Sequence, residues 1–311
     1  MNMKRKWAAL FLCLLMLLPF APVAAQSAQP LQVERIFAED RYLTSYTLSY
    51  RGFTNASVAV IASGANFPDA LAGGQLAGYM QAPLLITRPD GVSEALRLEL
   101  RRLGVKTVYL LGGTAALSER VESTLKQNYR VVRLAGNNRL ETSQAIIREL
   151  TRLKGNKSKT YYAAASNFPD ALAAGPLVVK QNGYLHLNGN TPVTRGIAIG
   201  GETAVPGRPS TRIAGANRYE TAAAIARAYP SRSRTVLVAS GTNYPDALSA
   251  AGFAAKHNYP ILLTHPDSLS PATAAYLKEA RITKVIVLGG TNAVSERVLD
   301  QIRHLNMPPV G

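Results

Sequence analysis

Three aspartates in this chain occupy the same local setting and could act as catalytic acids or bases. Each lies in an Asn-x-Pro-Asp-Ala-Leu signature; the three pairs are Asn66 and Asp69, Asn167 and Asp170, and Asn243 and Asp246. The same pattern also suits a helix start, where asparagine caps the helix, proline needs no N–H partner and the carboxylate faces the positive helix end. We favour this structural interpretation, and a carboxylate would also repel an anionic ligand.

A second signature, which starts with arginine, precedes each aspartate. Its second arginine is Arg41, Arg139 or Arg218, and each is predicted at the first position of a helix. Asn217 and Glu220 form a capping box in the third copy, and Glu141 takes the same place in the second. A cation is unfavourable at that helix end, so each arginine needs a compensating anion. The aspartate of the same copy is the favoured partner, and an anionic ligand is the alternative.

A glycine pair follows an apolar run in each copy: Gly112 and Gly113, Gly200 and Gly201, Gly289 and Gly290. The pair precedes a helix, so its backbone N–H groups could bind a phosphate at the carboxyl end of a strand. A plain tight turn is the alternative, and it is slightly favoured. Neither a G-x-G-x-x-G motif nor a P-loop is present, so no nucleotide cofactor is predicted.

The histidines carry no signal for chemistry. His186, His257, His265 and His304 lack the spacing of metal ligands. No nucleophile elbow, zinc-protease motif or paired carboxylates stand out. The sequence therefore predicts a protein without metal, cofactor or enzymatic activity.

The three signatures recur in one order, which identifies an internal repeat. The interval from the second arginine to the aspartate is 28, 31 and 28 residues, and from the aspartate to the first glycine it is 43, 30 and 43. The predicted modules are residues 33–131, 132–210 and 211–305. The middle module is therefore a shortened copy.

Strands alternate with helices in each copy, which predicts small open parallel α/β sheets, Rossmann- or Toprim-like. In the third copy, buried strands are expected at residues 235–239, 260–264 and 284–288. In the second, residues 188–195 are too few for a helix, and residues 204–210 contain two prolines. The middle module should lack two helices, and its exposed surface should be covered by modules one and three.

The N-terminus resembles a secretory signal peptide. Lys4, Arg5 and Lys6 precede an apolar run, and Val23-Ala24-Ala25 ends a predicted cleavage segment, residues 1–25. A linker, residues 26–32, and a C-terminal tail, residues 306–311, complete the predicted organisation. No second long apolar run follows, so no stable membrane span is expected after cleavage.

The charge is strongly positive. The formal net charge is +16, and without the three basic residues of the leader 32 basic and 19 acidic residues leave +13. Such an excess favours a polyanionic partner. Nucleic acid is the usual partner of such a charge, but the predicted export argues against it. A solvated basic surface is the remaining alternative.

Several motifs in combination resemble the cell wall binding repeat 2 family. They are Arg-Ile-Ala-Gly-x-Asn-Arg-Tyr-Glu-Thr, Asn-Tyr-Pro-Asp-Ala-Leu, Pro-Ile-Leu-Leu-Thr and Val-Leu-Gly-Gly-Thr-x-Ala-Val-Ser, and the match runs from Val33 to about Leu305. The resemblance implies three repeats around a pseudo-threefold axis on a Gram-positive surface, bound non-covalently to anionic wall polymer. Copy one departs at Phe37-Ala38-Glu39 and Leu43, and copy two at Tyr184-Leu-His-Leu187. These departures argue against equal binding by all modules.

The sequence thus predicts a secreted, wall-associated protein that binds a teichoic-acid-like or acidic polysaccharide polymer. Basic side chains and turn amides would bind it in clefts between the modules. The alternative is a non-catalytic partner or regulator of a separate wall hydrolase.

Overall fold

A computed structural model describes residues 30–305 except 67, 230 and 244. The predicted signal peptide and C-terminal tail lie outside the described residues. Three four-stranded parallel sheets form the framework, which confirms the predicted fold class. The first sheet has the spatial order Leu84–Thr87 (β3), Val58–Ser63 (β2), Thr107–Leu111 (β4) and Arg130–Leu134 (β5).

The other two sheets repeat this order. The second sheet consists of Gly183–Asn188 (β7), Lys159–Ala164 (β6), Ile197–Ile199 (β8) and Thr211–Ile213 (β9). The third consists of Ile261–Thr264 (β11), Thr235–Ser240 (β10), Lys284–Leu288 (β12) and Gln32–Ile36 (β1). The central strands are short apolar runs that are buried almost throughout, as expected of parallel strands covered on both faces.

The fourth strand of every sheet comes from the next repeat. Strand β5 opens the second predicted repeat but pairs with β4, and β9 opens the third but pairs with β8. Strand β1, from the first repeat, pairs in parallel with β12, from Gln32 opposite Lys284 to Ile36 opposite Leu288. The three repeats are therefore joined in a ring, which β1 closes without a covalent link. Each sheet crosses a boundary predicted from the sequence repeat.

Helices connect the strands. Those before β5 are Arg41–Gly52 (α1), Pro68–Met80 (α2), Glu94–Leu103 (α3) and Glu119–Lys126 (α4); the next two are Arg139–Lys154 (α5) and Pro169–Lys180 (α6). The rest are Arg218–Ala228 (α7), Ala250–His257 (α8), Pro271–Glu279 (α9) and Glu296–Arg303 (α10), with a 3-10 turn at Pro245–Ala247. Residues 189–196 and 200–210, all described, contain no helix. The predicted loss of two helices from the middle module is confirmed.

Three equivalent helices, α2, α6 and α8, meet at the centre of the ring. Small residues permit their close approach: a Cβ on Gly74 would lie 2.6 Å from the Cβ of Ala251, and one on Gly78 would lie 2.8 Å from Val179. Because glycine places no side chain at the crossing point, the backbones of two helices can approach each other closely there. One apolar core contains residues of all three repeats. The central packing agrees with the predicted pseudo-threefold arrangement.

The first repeat also covers the exposed edge of the middle sheet. Gln75 in α2 is fully buried; its Nε2 donates to the Leu185 carbonyl at 2.7 Å and its Oε1 accepts from the Leu185 N–H at 2.9 Å. Leu185 lies in the edge strand β7, whose peptide groups have no strand partner on that side. This amide pairing satisfies an otherwise orphaned peptide. The neighbouring repeat covers this edge only. The expectation that modules one and three cover the surface left by the two missing helices is wrong, because the cluster on that face, Val193, Ala198 and Val205 with Tyr162, belongs to the middle module itself.

Candidate functional site

The signature aspartates lie where two repeats meet. Each of these junctions contains one aspartate and one first glycine from the same repeat and one arginine from the next repeat around the ring. The first junction contains Asp69, Gly112 and Arg139, the second Asp170, Gly200 and Arg218, and the third Asp246, Gly289 and Arg41. The signatures that the sequence singled out therefore meet three times.

Only glycine fits at the first position of each glycine pair, beside the aspartate. Gly112, Gly200 and Gly289 have φ of 93°, 105° and 95°, which is the left-handed region. A Cβ at any of the three would approach the aspartate Oδ2 to 2.7 Å or less. Backbone conformation and contact thus exclude a side chain independently.

Burial raises the pKa of all three junction aspartates. The pKa of Asp170 reaches about 6, with Arg218 as the opposing charge. For Asp69, a hydrogen bond from Thr142 and the charge of Arg139 oppose the rise, and for Asp246 the same roles fall to Thr44 and Arg41. Desolvation penalises the charged carboxylate, and the neighbouring cation and hydroxyl partly offset it.

The arginine beside each aspartate belongs to the following repeat. The expectation that Arg41, Arg139 and Arg218 pair with the aspartate of their own copy is therefore wrong. The reason is topological: the strand that opens a repeat joins the preceding sheet and takes the arginine with it. Each arginine does occupy the first position of its helix, as predicted.

The same arginines also hold their own repeat. Nη1 of Arg41 donates to the Gly64 carbonyl at 2.9 Å, that of Arg139 to Ala165 at 3.0 Å and that of Arg218 to Gly241 at 2.5 Å. The three acceptors lie in the turns after β2, β6 and β10. Each guanidinium therefore links two repeats, which is a structural role for residues whose alternative interpretation was contact with an anionic ligand.

The first glycines have their polar groups occupied. Their N–H groups donate to strand carbonyls of the next repeat, those of Leu134, Ile213 and Ile36, at 2.9–3.0 Å. Their carbonyls accept from Arg133, Arg212 and Arg35, each at 2.7 Å. Only the second glycines, Gly113, Gly201 and Gly290, are half-buried and face open space or, for Gly290, Phe37 at 3.7 Å. An anion at these turns would meet the second glycine, and in the middle module also the exposed Glu202.

The predicted helix caps are partly correct. Asn138 and Asn217 cap α5 and α7 with their side-chain oxygens, and Asp40 caps α1. Glu141 and Glu220 accept from the N–H before the cap, those of Asn137 and Ala216.

The cap predicted for the Asn-x-Pro-Asp signature is wrong in the middle repeat. Helix α6 has Phe168 at its N-cap position, without a side-chain cap, and Asn167 Oδ1 instead accepts from the Phe168 N–H. The helix starts one residue too late for the asparagine to cap it. In the third repeat a 3-10 turn begins at Pro245 and α8 only at Ala250.

A group of cations, exposed except for the half-buried Lys157, was not singled out from the sequence. We define the basic edge as six cations beside the amino ends of the second and third sheets: Lys154, Lys157, Lys159, Lys180, Arg232 and Arg234. Lys159 Nζ donates to Gln181 Oε1 at 2.7 Å, and Gln181 Nε2 reaches the Ala228 carbonyl of the third repeat at 3.5 Å. The two halves of the basic edge are therefore neighbours.

No carboxylate neutralises the basic edge. Among the residues described, the ion pairs within 4.0 Å include none of its six cations. The equivalent connection of the first repeat, residues 53–57, contains no charged residue. Comparing the charges of equivalent connections would have revealed the lysines of residues 154–159 and the two arginines from the sequence, but not that Lys180 lies beside them.

Residues 30–305, apart from positions 67, 230 and 244, contain neither a metal-binding cluster nor a membrane-spanning helix. No cluster of histidine, cysteine, aspartate and glutamate there could hold a metal ion. No helix among them is both long and apolar enough to cross a membrane.

Known proteins resemble this chain along most of its length. N-acetylmuramoyl-L-alanine amidase LytC of Bacillus subtilis is 31% identical, with 97% of this chain and 63% of that protein aligned. The amidase enhancer of the same organism is 27% identical, with 85% of this chain and 39% of that protein aligned. The chain thus spans less than two thirds of either relative.

Solved structures show the same fold. Cwp6 and Cwp8 from Clostridium difficile both have a TM-score of 0.78 and 23% identity. Their matches cover 90% and 88% of this chain, and 48% and 52% of those chains.

The family comparison covers all three repeats. Residues 35–122, 133–208 and 212–299 each match the family described as Cell wall binding domain 2. The three matched segments contain the arginine, aspartate and glycine-pair signatures that build the junctions. The chain therefore belongs to the Cell wall binding domain 2 family and carries three tandem copies of its domain.

Proposed function

We propose that the protein is exported and attaches non-covalently to the cell wall by binding an anionic wall polymer along the basic edge. The observation that carries this proposal is the set of six cations, exposed except for the half-buried Lys157, that have no carboxylate partner among the described residues. Lysine ammonium groups are compact point charges that suit phosphate or carboxylate groups spaced along a chain.

The distribution of charge supports the same surface. Residues 33–131 contain 11 basic and 9 acidic residues, residues 132–210 contain 10 and 4, and residues 211–305 contain 11 and 6. The net charges are +2, +6 and +5, so nearly all of the excess belongs to the two repeats that form the basic edge. A field of one sign along a surface attracts a polyanion to it.

The junctions are secondary candidates for polymer contact. Arg41, Arg139 and Arg218 and the second glycines Gly113, Gly201 and Gly290 are positive or amide groups near the carboxyl ends of the sheets. The junction aspartates recur three times in equivalent structural roles. Their packing against a glycine and beside an arginine of the next repeat supports a structural role over a catalytic one.

Co-sedimentation with purified cell walls tests the attachment. Intact walls and walls stripped of anionic polymer are compared across a salt series. The expected result is binding that weakens as salt rises and is lost on stripped walls, because salt screens charge pairs. Binding that survives both treatments would contradict the proposal and indicate peptidoglycan as the receptor.

The site itself is tested by a matched pair of variants. Lys154→Gln/Lys157→Gln/Lys159→Gln removes three charges from the basic edge, and Arg97→Gln/Arg101→Gln/Lys106→Gln removes three exposed charges from the first repeat. The first variant should lose most wall binding, and the second should keep it. Equal losses would show that total charge, and not the basic edge, determines attachment.

A second candidate function is a non-catalytic partner of a wall hydrolase. Its support is the likeness to an amidase and to a protein named amidase enhancer. Amidase activity on purified walls, measured with and without the protein, tests this role. A change in rate that persists for the basic-edge variant would favour partnership with the enzyme over simple attachment.

A further inference from the structure

The middle sheet has an open outer face that the other sheets lack. Tyr162 in β6 and His186 in β7 lie opposite each other in the strand register, and their ring centroids are 5.4 Å apart with 30° between the planes. Both side chains are half-buried. The loops that replace two missing helices bury only Val193, Ala198 and Val205 on this face.

Equivalent positions in the other sheets are aliphatic and fully buried. Tyr162 lies eight residues before Asp170, as Val238 does before Asp246. Val238 is paired in register with Leu262, and both are buried with residues of α9 and α10. The first sheet has Ile61 opposite Leu85, also buried. Where the helices are missing, an aromatic pair with polar atoms therefore replaces an aliphatic pair.

A groove runs over this aromatic pair. Its cavity of about 480 Å³ is lined by the two rings and by polar side chains that include Gln144, Thr194 and Arg195. A second cavity of about 560 Å³ shares Leu140, Asn188 and Gly189 with it and extends the groove. The residues lining both cavities include no aspartate or glutamate.

The loop over the groove is held in place by its own hydrogen bonds. Asn188 Nδ2 donates to the Thr191 carbonyl and its Oδ1 accepts from the Thr191 N–H, both at 2.9 Å. The N–H of Val193 donates to the Pro206 carbonyl at 2.8 Å. The groove is thus formed without a ligand, as most small-molecule sites are.

We propose that this groove binds the sugar rings of a neutral wall glycan, stacked on Tyr162 and His186. A pyranose presents C–H groups on its faces and hydroxyls at its rim, which matches aromatic rings surrounded by amide, hydroxyl and guanidinium groups. A lipid chain or an apolar helix would require a continuous apolar lining, and the polar side chains interrupt it.

The proposed sugar site is independent of the basic edge. Burial lowers the pKa of His186, so its ring is neutral at pH 7 and both donates and accepts hydrogen bonds. Contact with a neutral sugar involves no ion pair, so salt should affect it little. Loss of polymer binding and loss of sugar binding are therefore separable.

The test is titration of the protein with defined neutral tetrasaccharides of glucose, mannose, galactose and N-acetylglucosamine, followed by the histidine C–H resonances in NMR spectra. The chain has four histidines, so His257 and His265 are internal controls. At least one sugar should shift the His186 resonance saturably, at low and high salt and in the Lys154→Gln/Lys157→Gln/Lys159→Gln variant. The absence of a shift at millimolar concentrations of all four would overturn the proposal.

Variants locate the site. Tyr162→Val/His186→Leu restores the aliphatic types of the other sheets, and binding, followed by calorimetry, should weaken at least tenfold, as expected for the loss of two stacking contacts of about 1 kcal/mol each. Tyr50→Ser removes an exposed ring of the first repeat and should change nothing. Unchanged affinity in the double variant would exclude this groove as the site of any sugar binding observed.

Discussion

The second and third sheets have one strand order and one register but different outer layers. Helices α9 and α10 bury Val238 and Leu262 of the third sheet, whereas two loops leave Tyr162 and His186 of the second half-buried. Both sheets keep the same junction and the same inner helices. The comparison indicates that the ring of junctions and the central helices determine the fold, and that the outer layer can be exchanged for a surface with another role.

The largest loss of stability is expected when the strand that closes the ring is removed. Deleting residues 30–36 takes β1 from β12 together with the buried Leu31 and Ile36. We expect a loss of more than about 5 kcal/mol, because two apolar side chains and a strand pairing are lost together. Chemical denaturation measures it, and hydrogen exchange should show the third sheet opening first. Uniform exchange across all three sheets would contradict the ring.

The outer layers predict unequal costs for core truncations. Leu277→Ala in α9 should cost about 2–5 kcal/mol, since it leaves a cavity beneath a helix that cannot easily shift. Val205→Ala in the middle module should cost less than about 2 kcal/mol, because a loop can settle onto the smaller side chain. Urea midpoints measure both. Equal costs would show that the loops are as rigid as the helices.

The junctions predict equal costs in both sheets. Gly289→Ala and Gly200→Ala should each lose about 2–3 kcal/mol, because alanine is strained at positive φ and would collide with an aspartate oxygen. The neighbours provide matched controls. Gly290→Ala and Gly201→Ala should lose less than about 1 kcal/mol, because no atom lies within 3.4 Å of the added Cβ. If Gly200→Ala left the free energy of unfolding unchanged, the middle junction would not be formed as described.

The smallest expected effect is a difference between the junctions in how the free energy of unfolding depends on pH. Burial raises the pKa of Asp170 to about 6, above its value in the unfolded chain. The folded state therefore binds the proton more tightly, so Asp170 lowers the free energy of unfolding as pH rises from about 4 to 6. Asp170→Asn should remove a fall of up to about 2 kcal/mol. Difference profiles of wild type and variant isolate this group from His186, whose lowered pKa acts in the opposite direction.

Asp246→Asn is the matched variant in the third junction. A hydrogen bond from Thr44 and the charge of Arg41 oppose the rise in the pKa of Asp246. Its difference profile should therefore be flatter than that of Asp170→Asn. A steeper profile would reverse the order of the two junctions.

Much of the architecture could be predicted from the sequence. The apolar runs predicted the central strands. The short intervals after Asn188 and Gly201 predicted that two helices are absent from the middle module. The exchange of strands could not be predicted, because a repeat defines a period and not a starting point. Strand β9 fits equally well as the last strand of one unit or the first of the next, and only packing decides.

The candidate site was harder to predict from the sequence than the fold, for physical reasons. Arg41, Arg139 and Arg218 were identified correctly as residues that require an anion, but the anion belongs to another repeat. The cap predicted for Asn167 fails by one residue, a shift that sequence patterns do not resolve. The basic edge needed the fold, because Lys180 joins the three lysines of the preceding connection only through the sheet.

The most direct test of the central claim measures affinity for purified anionic wall polymer as a function of salt. Wild-type affinity should fall steeply with salt. The Lys154→Gln/Lys157→Gln/Lys159→Gln variant should bind more weakly with a shallower salt slope, and the Arg97→Gln/Arg101→Gln/Lys106→Gln variant should follow the wild type. A wild-type affinity that does not depend on salt, or a basic-edge variant that matches it, would contradict attachment through the basic edge.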